Sequence, residues 1–378
     1  MSESNGMKRL LIVGSIIIGL LLVILLVAWI LSQRKPRFVE YSKAIDLMQT
    51  AAAKYYEKNN DKLPVEDGDY VLSYETLVEN ELIVPLNELL ADGDQCNAHI
   101  MVTNKSNTYT YTPYLNCKDG YQTTELYKIL TQEDKIVTSG AGLYKDETMG
   151  YYYRGDVTNN YIRLGTITKN DKEIDNLWRV ISIEPDNTIR IKKVESTNSR
   201  YLWDDRYNVD FQNNFGYNKF ELSKIKSTLD MLQNRDSVMS ELYRNKIVPK
   251  KLCVNSRKED DTAKDASIEC ATLTEKEYNF GVMYPYEFMR ASLDENCKRT
   301  TSMSCSNYNY LANDPDHEFE WSLNANPDIS NEAFVFTGST YEYYRTSSEQ
   351  FLYLTTYLSD KVFFDKGTGT KEDPYLIR

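Results

Sequence analysis

Residues 10–31 read LLIVGSIIIGLLLVILLVAWIL, and no charged residue lies between Leu10 and Gln33. Twenty-two residues at ~1.5 Å of helical rise match the ~30 Å thickness of a hydrocarbon core. A removable signal peptide would have a shorter apolar region and a small-x-small cleavage site, and neither is evident. The pattern predicts an uncleaved single-pass membrane helix over 10–31, behind a short cytoplasmic segment, 1–9. After Pro36 the rhythm changes. Apolar residues recur at Phe38, Tyr41, Ile45, Met48, Ala52 and Tyr55 in alternating steps of three and four, one stripe of an amphipathic helix reaching Lys58. Asn59, Asn60, Asp61 and Pro64 end it in a loop. Ser73 reads as the cap of a short second helix containing Leu77, Val78 and Leu82. Period-two stretches at 98–103 and 108–115, with a turn at 104–107, predict a hairpin flanked almost symmetrically by Cys96 and Cys117.

The same reading divides the rest of the chain. Residues 124–150 carry Gly140, Gly142 and Gly150 among polar residues and predict a linker. A second domain over 151–378 opens on the strand YIRLGTI. Next come Val180, Ile181 and Ile183 facing Ile189 and Ile191 across Pro185, Asp186 and Asn187, a hairpin signature. Residues 220–233 fit an amphipathic helix with Leu222, Ile225, Leu229 and Leu232, and the tail is strand-like at 333–336 and 351–364. The expected fold class is α+β throughout: a single N-terminal membrane helix, an α+β domain over 37–123, and a mixed α+β domain over 151–378.

Composition narrows the function. Lys and Arg number 44 against 56 Asp and Glu, a formal net charge of −12, and no long basic block exists. A phosphate backbone needs a basic face, so nucleic acid is excluded as a partner at the level of composition. His99 and His317 are the two histidines, which leaves little room for histidine catalysis or a multi-histidine metal site. The six cysteines fall into three close pairs, Cys96 with Cys117, Cys253 with Cys270, and Cys297 with Cys305, as local disulfides of an exported domain would. Charge around the apolar span points the other way. Lys8 and Arg9 precede it while Arg34, Lys35, Arg37 and Lys43 follow, and the positive-inside rule taken literally puts the bulk in the cytoplasm. The cysteine pairing is favoured here, with the N-terminus cytoplasmic and the bulk extracellular at the cell membrane.

Signatures of chemistry are sparse. Ser223–Lys226 matches S-x-x-K but lacks the companion S-D-N and K-T-G motifs, and a helix rich in Ser and Lys yields it by chance. Nucleophile-elbow, zincin and phosphate-loop motifs are absent. No catalytic residue is assigned. Asp314, Asp316, Glu318 and Glu320 gather hard oxygen ligands of the kind Ca2+ takes, with His317 among them, although a solvated acidic loop explains them too. No other cofactor is expected. Asp204 and Asp205 form a carboxylate pair after Trp203, or simply a turn. Tyrosine is abundant, at 30 residues, and a ring with a hydroxyl tip suits sugar or protein binding. Trp203, Tyr308, Tyr310, Trp321, Tyr341 and Tyr343 are the ligand-binding candidates, with ordinary strand packing as the alternative.

Two resemblances rest on particular segments. The apolar helix, the amphipathic helix with AAAKYYEKNNDKLP, the short helix and the hairpin ending YLNCKDGY together resemble pilin-like and pseudopilin-like proteins of Gram-positive bacteria, over about residues 10–123. No Gly-Phe pair precedes the apolar run and no Glu stands at the fifth position of a mature start, so the resemblance implies a pilin-like stalk rather than a polymerising pilin. Residues 177–191, CVNSR at 253–257, GVMYPYEFMRA at 281–291, EWSL at 320–323 and the closing GTGTKEDPY are similar, in that order, to a C-terminal domain of surface proteins from low-GC Gram-positive bacteria that has no established activity. The EWSL segment and the paired terminal strands are also similar to C-type-lectin-like folds. Together these imply a membrane-anchored surface protein whose head binds an extracellular glycan or protein, with a structural part in a pilus or secretion-like assembly as the alternative.

Overall fold

The structure is a computed structural model and describes residues 38–378 apart from 119, 170, 198, 295, 296, 298–308, 312–318 and 339. The expected membrane helix at 10–31 lies outside the described residues. Among the described residues no helix is long and apolar enough to cross a membrane. The chain divides into two compact units, one reaching Thr123 and the other running from Thr124 to Arg378. Both are mixed α+β.

In the first unit, helix α1 (Tyr41–Lys58) carries the expected stripe, burying Ala44, Ile45, Met48, Ala52 and Tyr55. Phe38 precedes the helix and stays exposed. The helix stops at Asn59, whose backbone N–H and side-chain amide both donate to the Tyr55 carbonyl, satisfying an end group that has no intrahelical partner. Strands β1 (Gly68–Ser73), β2 (Cys96–Lys105) and β3 (Thr108–Cys117) form an antiparallel sheet in that order. Ile100, Val102 and Leu115 from the sheet share a core with α1 and with Leu77 of the short helix α2 (Tyr74–Glu79). Ser73 caps α2 by accepting from the Thr76 N–H, as expected. The hairpin loop is the two residues Ser106 and Asn107, both at positive φ (51° and 63°), the pattern of a type I′ turn. Asn104, expected in the turn, lies in β2 instead. It is buried, and its amide donates to the carbonyls of Pro64, Val65 and Glu66. Cys96 and Cys117 stand directly opposite at the hairpin base and are disulfide-bonded.

The second unit begins earlier than the sequence reading placed it. The segment 124–150, expected as a linker, contributes Leu126 and Leu130 of helix α3 (Leu126–Leu130) and Leu143 of strand β4 (Gly142–Asp146) to the large core. Its glycines serve turns rather than flexibility. Gly150 sits at φ +78°, where an added Cβ would stand 2.2 Å from the Ile183 carbonyl oxygen. Strands β5 (Gly150–Arg154), β6 (Tyr161–Lys169), β7 (Lys172–Ile183) and β8 (Ile189–Lys193) follow. After the short β9 (Tyr201–Leu202) and helix α4 (Lys224–Leu232) come β10 (Lys250–Cys253), β11 (Leu273–Tyr278), β12 (Gly281–Val282) and helix α5 (Pro285–Ala291). The chain continues through β13 (Glu320–Ala325), β14 (Glu332–Phe336), β15 (Tyr341–Arg345), β16 (Glu349–Gln350), β17 (Leu354–Leu358), β18 (Phe364–Lys366) and β19 (Tyr375–Ile377).

A nine-stranded sheet organises this unit among the described residues. Its main path runs β12-β17-β8-β7-β6-β19-β18, antiparallel except for the parallel β6–β19 pair, and the β4–β5 hairpin joins through β7. The expected β7–β8 hairpin is present, pairing Trp178 with Lys193 and Ile183 with Ile189. Two expected elements are subdivided. Ser223 adopts extended backbone and accepts from the Lys226 N–H, so the stretch 220–233 becomes a 3-10 turn and then α4. The tail 351–364 is broken rather than continuous: Phe351 makes an isolated bridge to Glu320, β17 covers Leu354–Leu358, Phe363 bridges Glu125, and Phe364 opens β18. Cys253 and Cys270 form a second disulfide, and Cys297 is disulfide-bonded as well. Cys305 lies outside the described residues.

Candidate functional site

The aromatic residues singled out in the sequence are structural where they are described. Trp203 and Trp321 are buried, their indole N–H groups donating to the carbonyls of Ser322 and Tyr201. Tyr310 and Tyr341 are buried too, Tyr341 packing against Phe288, Phe334 and Phe336. Tyr343 is half-buried and donates its hydroxyl to the Arg257 carbonyl. Trp203, Trp321, Tyr310 and Tyr341 are thus part of the core, and Tyr343 packs against it on Phe334. Tyr308 lies outside the described residues.

The acidic cluster divides the same way. Asp314, Asp316, His317 and Glu318 lie outside the described residues, while Glu320 is buried and paired with Lys192 at 3.3 Å. Among the described residues, the grouping Asp92, Cys96 and Cys117 would have metal-ligand proximity, but both sulfurs are used in the disulfide. Asp204 and Asp205 are separated by their partners, Asp204 bound to Arg206 and the Tyr217 N–H, and Asp205 to Lys224. Ser223 is the cap of α4 and Lys226 pairs with Asp230, so the S-x-x-K match is helix architecture. His99 stacks on Tyr114 in the first unit.

A cavity of about 200 Å3 lies at the ends of strands β6 and β8 of the large sheet. The end of β6 supplies Lys169, the end of β8 supplies Lys193, and the loop beyond adds Glu195, Thr197 and Ser199. Met231 and Leu232 of α4, with Arg235 beyond it, close another side, and Leu354 of β17 adds an apolar contact. Local order explains the shape. The Val194 N–H still bonds to the Leu177 carbonyl, after which the chain leaves the sheet. Thr197 then fixes the departing loop by exchanging bonds with Leu352, N–H to carbonyl in one direction and N–H to hydroxyl in the other.

Lys193 is the unusual lining residue. It is almost fully buried, and its Nζ donates to Asn176 Oδ1 while lying 5.4 Å from the Trp178 ring centre. Trp178 Nε1 donates to the same Oδ1 at 3.1 Å, and Asn176 Nδ2 donates to the Val238 carbonyl at 3.1 Å. The carboxamide is thereby fixed with its oxygen toward the ammonium. Burial pushes the Lys193 pKa down to about 8, Glu195 opposing and Lys169 adding to the shift. Lys169 is itself paired with Glu195 at 2.6 Å. Three cations, Lys169, Lys193 and Arg235, thus face one carboxylate, Glu195, on a chain whose net charge is −12.

The sequence reading missed this site, although one signal was present. In the strand IRIKK, period two places Lys193 on the same face as Ile189 and Ile191, and a lysine in an apolar row is out of place. No family model, curated protein or solved structure matches this chain.

Proposed function

We propose that the protein is a membrane-anchored cell-surface protein, its N-terminus cytoplasmic and its bulk outside, whose second unit binds a small extracellular ligand in the cavity beside Lys193. The cavity and its cationic lining carry this reading: a desolvated lysine without a bonded carboxylate in a cavity wall is a costly arrangement for stability alone. The disulfides Cys96–Cys117 and Cys253–Cys270 support an oxidising compartment, and residues 10–31 supply the anchor. In the first unit, a long helix laid on a short antiparallel sheet is consistent with a pilin-like stalk. A C-type-lectin-like fold for the second unit is part of the same proposal, but the aromatic residues first expected for binding are replaced by the cavity.

Binding is tested with the full chain in detergent micelles by calorimetry against neutral and charged saccharides. Saturable binding that Lys193→Met abolishes supports the reading, and no heat with any probe overturns it. Compartment is tested separately by alkylating thiols in intact cells before peptide mapping. Bridged Cys96–Cys117 is expected, and alkylation of both would place the bulk in the cytoplasm.

A further inference from the structure

The three buried cations at the end of β8 are not treated alike. Arg190 is bonded to Glu287 and Lys192 is paired with Glu320, each carboxylate being buried with its partner. Lys193 has instead a neutral carboxamide oxygen and a cavity wall. The one carboxylate in the lining, Glu195, already serves Lys169. Nothing else in the lining that is charged is negative, since Arg235 adds a further cation. The counter-charge for this face is therefore most economically brought by an occupant. The space sets its size: about 200 Å3 lies below the ~300–1,000 Å3 of sites for drug-sized ligands. Hydroxyls at Ser199 and Ser237 and the apolar side made by Leu232 and Leu354 suit a small polyol with one apolar face.

Resting on the binding reading above, we propose that the occupant is a monosaccharide-sized anion, a sugar bearing one carboxylate or phosphate group that is held by Lys193 with Arg235 in support. An anion on Lys193 favours the charged amine, so binding takes up protons near the lysine's own pKa of about 8. The charged groups facing Lys193 are Glu195 beyond its own strand and Lys169 from β6, while β7 presents only Asn176 and Trp178. Affinity is accordingly highest below pH 8 and falls as pH rises beyond it.

The test titrates the full chain in micelles with glucuronate, glucose 6-phosphate, glucose and inorganic phosphate. One or both charged sugars should bind at least tenfold more tightly than glucose, and which of them does so identifies the anionic group. Lys193→Met should remove at least a tenfold share of that affinity, and Arg235→Gln several-fold. Glu195→Gln should strengthen binding several-fold, a change of sign that loss of packing would not produce. Should Lys193→Met fail to fold, the Glu195→Gln and pH arms decide alone. Glucose binding as tightly as the charged sugars overturns the anion class and leaves the binding reading standing. Inorganic phosphate matching the sugars overturns the sugar. Silence from all four probes, and from a wider neutral glycan panel, overturns both proposals together.

Discussion

The two faces of β8 show two ways of burying a cation. On one face Arg190 lies between the rings of Tyr284 and Tyr357, 4.8 and 4.9 Å from their centres, with Glu287 bonded to its guanidinium. Glu287 also accepts from the Tyr284 N–H at the start of α5, so one carboxylate both neutralises β8 and caps a helix. Lys192 points to the same face, over the Tyr353 ring at 4.3 Å and beside Glu320. On the other face Lys193 occupies the row of Ile189 and Ile191, bonded to a neutral carboxamide and set near Trp178, with Glu195 acting on it only through space. The first face is closed: its charges are matched within the protein, and removing one partner would strand the other. The second is open in the electrostatic sense, and the folded state carries the cost of that buried charge.

The largest expected effect comes from breaking the closed face. Glu287→Gln leaves Arg190 buried without an anion and should cost about 3–5 kcal/mol, measured by chemical denaturation followed through the buried tryptophans of the second unit. Glu320→Gln should cost less, about 1.5–3 kcal/mol, because Lys192 keeps its contact with Tyr353. An equal or larger loss would show that Lys192 depends on its carboxylate as fully as Arg190 does.

The open face should respond with the opposite sign. Lys193→Met keeps an unbranched stem on Trp178 and removes a charge held by no carboxylate, so unfolding at pH 7 should become harder by on the order of 1–2 kcal/mol. The pH dependence sharpens this. Because the folded-state pKa of Lys193 is depressed to about 8 from an ordinary 10.5, the unfolded chain binds more protons between those values, and stability from this residue rises with pH across that window. The gap between wild type and Lys193→Met is therefore widest below pH 8 and closes toward pH 10.5; a gap independent of pH would refute the assignment. The smallest net effect is expected from Asn176→Asp, which gives Lys193 a carboxylate but loses the amide donors to Val238 and Leu164. Its signature is loss of the pH 8 inflection rather than a change in melting temperature, read by thermal unfolding at a series of pH values.

Much of the fold was legible because it depends on short-range periodicity. The stripe from Ile45 to Tyr55, the cap at Ser73 and the hairpin closed by Cys96 and Cys117 each follow from neighbours a few positions apart. The linker expectation failed for the same reason. Gly140, Gly142 and Gly150 look flexible one at a time, yet Leu126, Leu130 and Leu143 are placed in a core assembled from residues up to Ile377. Trp203, Trp321, Tyr310 and Tyr341 were legible as candidates for either binding or packing, and the structure buries all four, since a residue's type does not say which side of a sheet will be covered.

By itself, then, the sequence determined a long apolar run at 10–31, an acidic composition, an α+β pattern, and cysteines spaced for local bridges. Tertiary structure alone decided which charges find partners. Glu287 is 97 residues from Arg190 and Glu320 lies on a distant strand, so no local pattern reveals that two of the three cations on β8 are neutralised and the third is not. Electrostatic energy in a buried place depends on distance in space and on access to water, and both are properties of the finished fold.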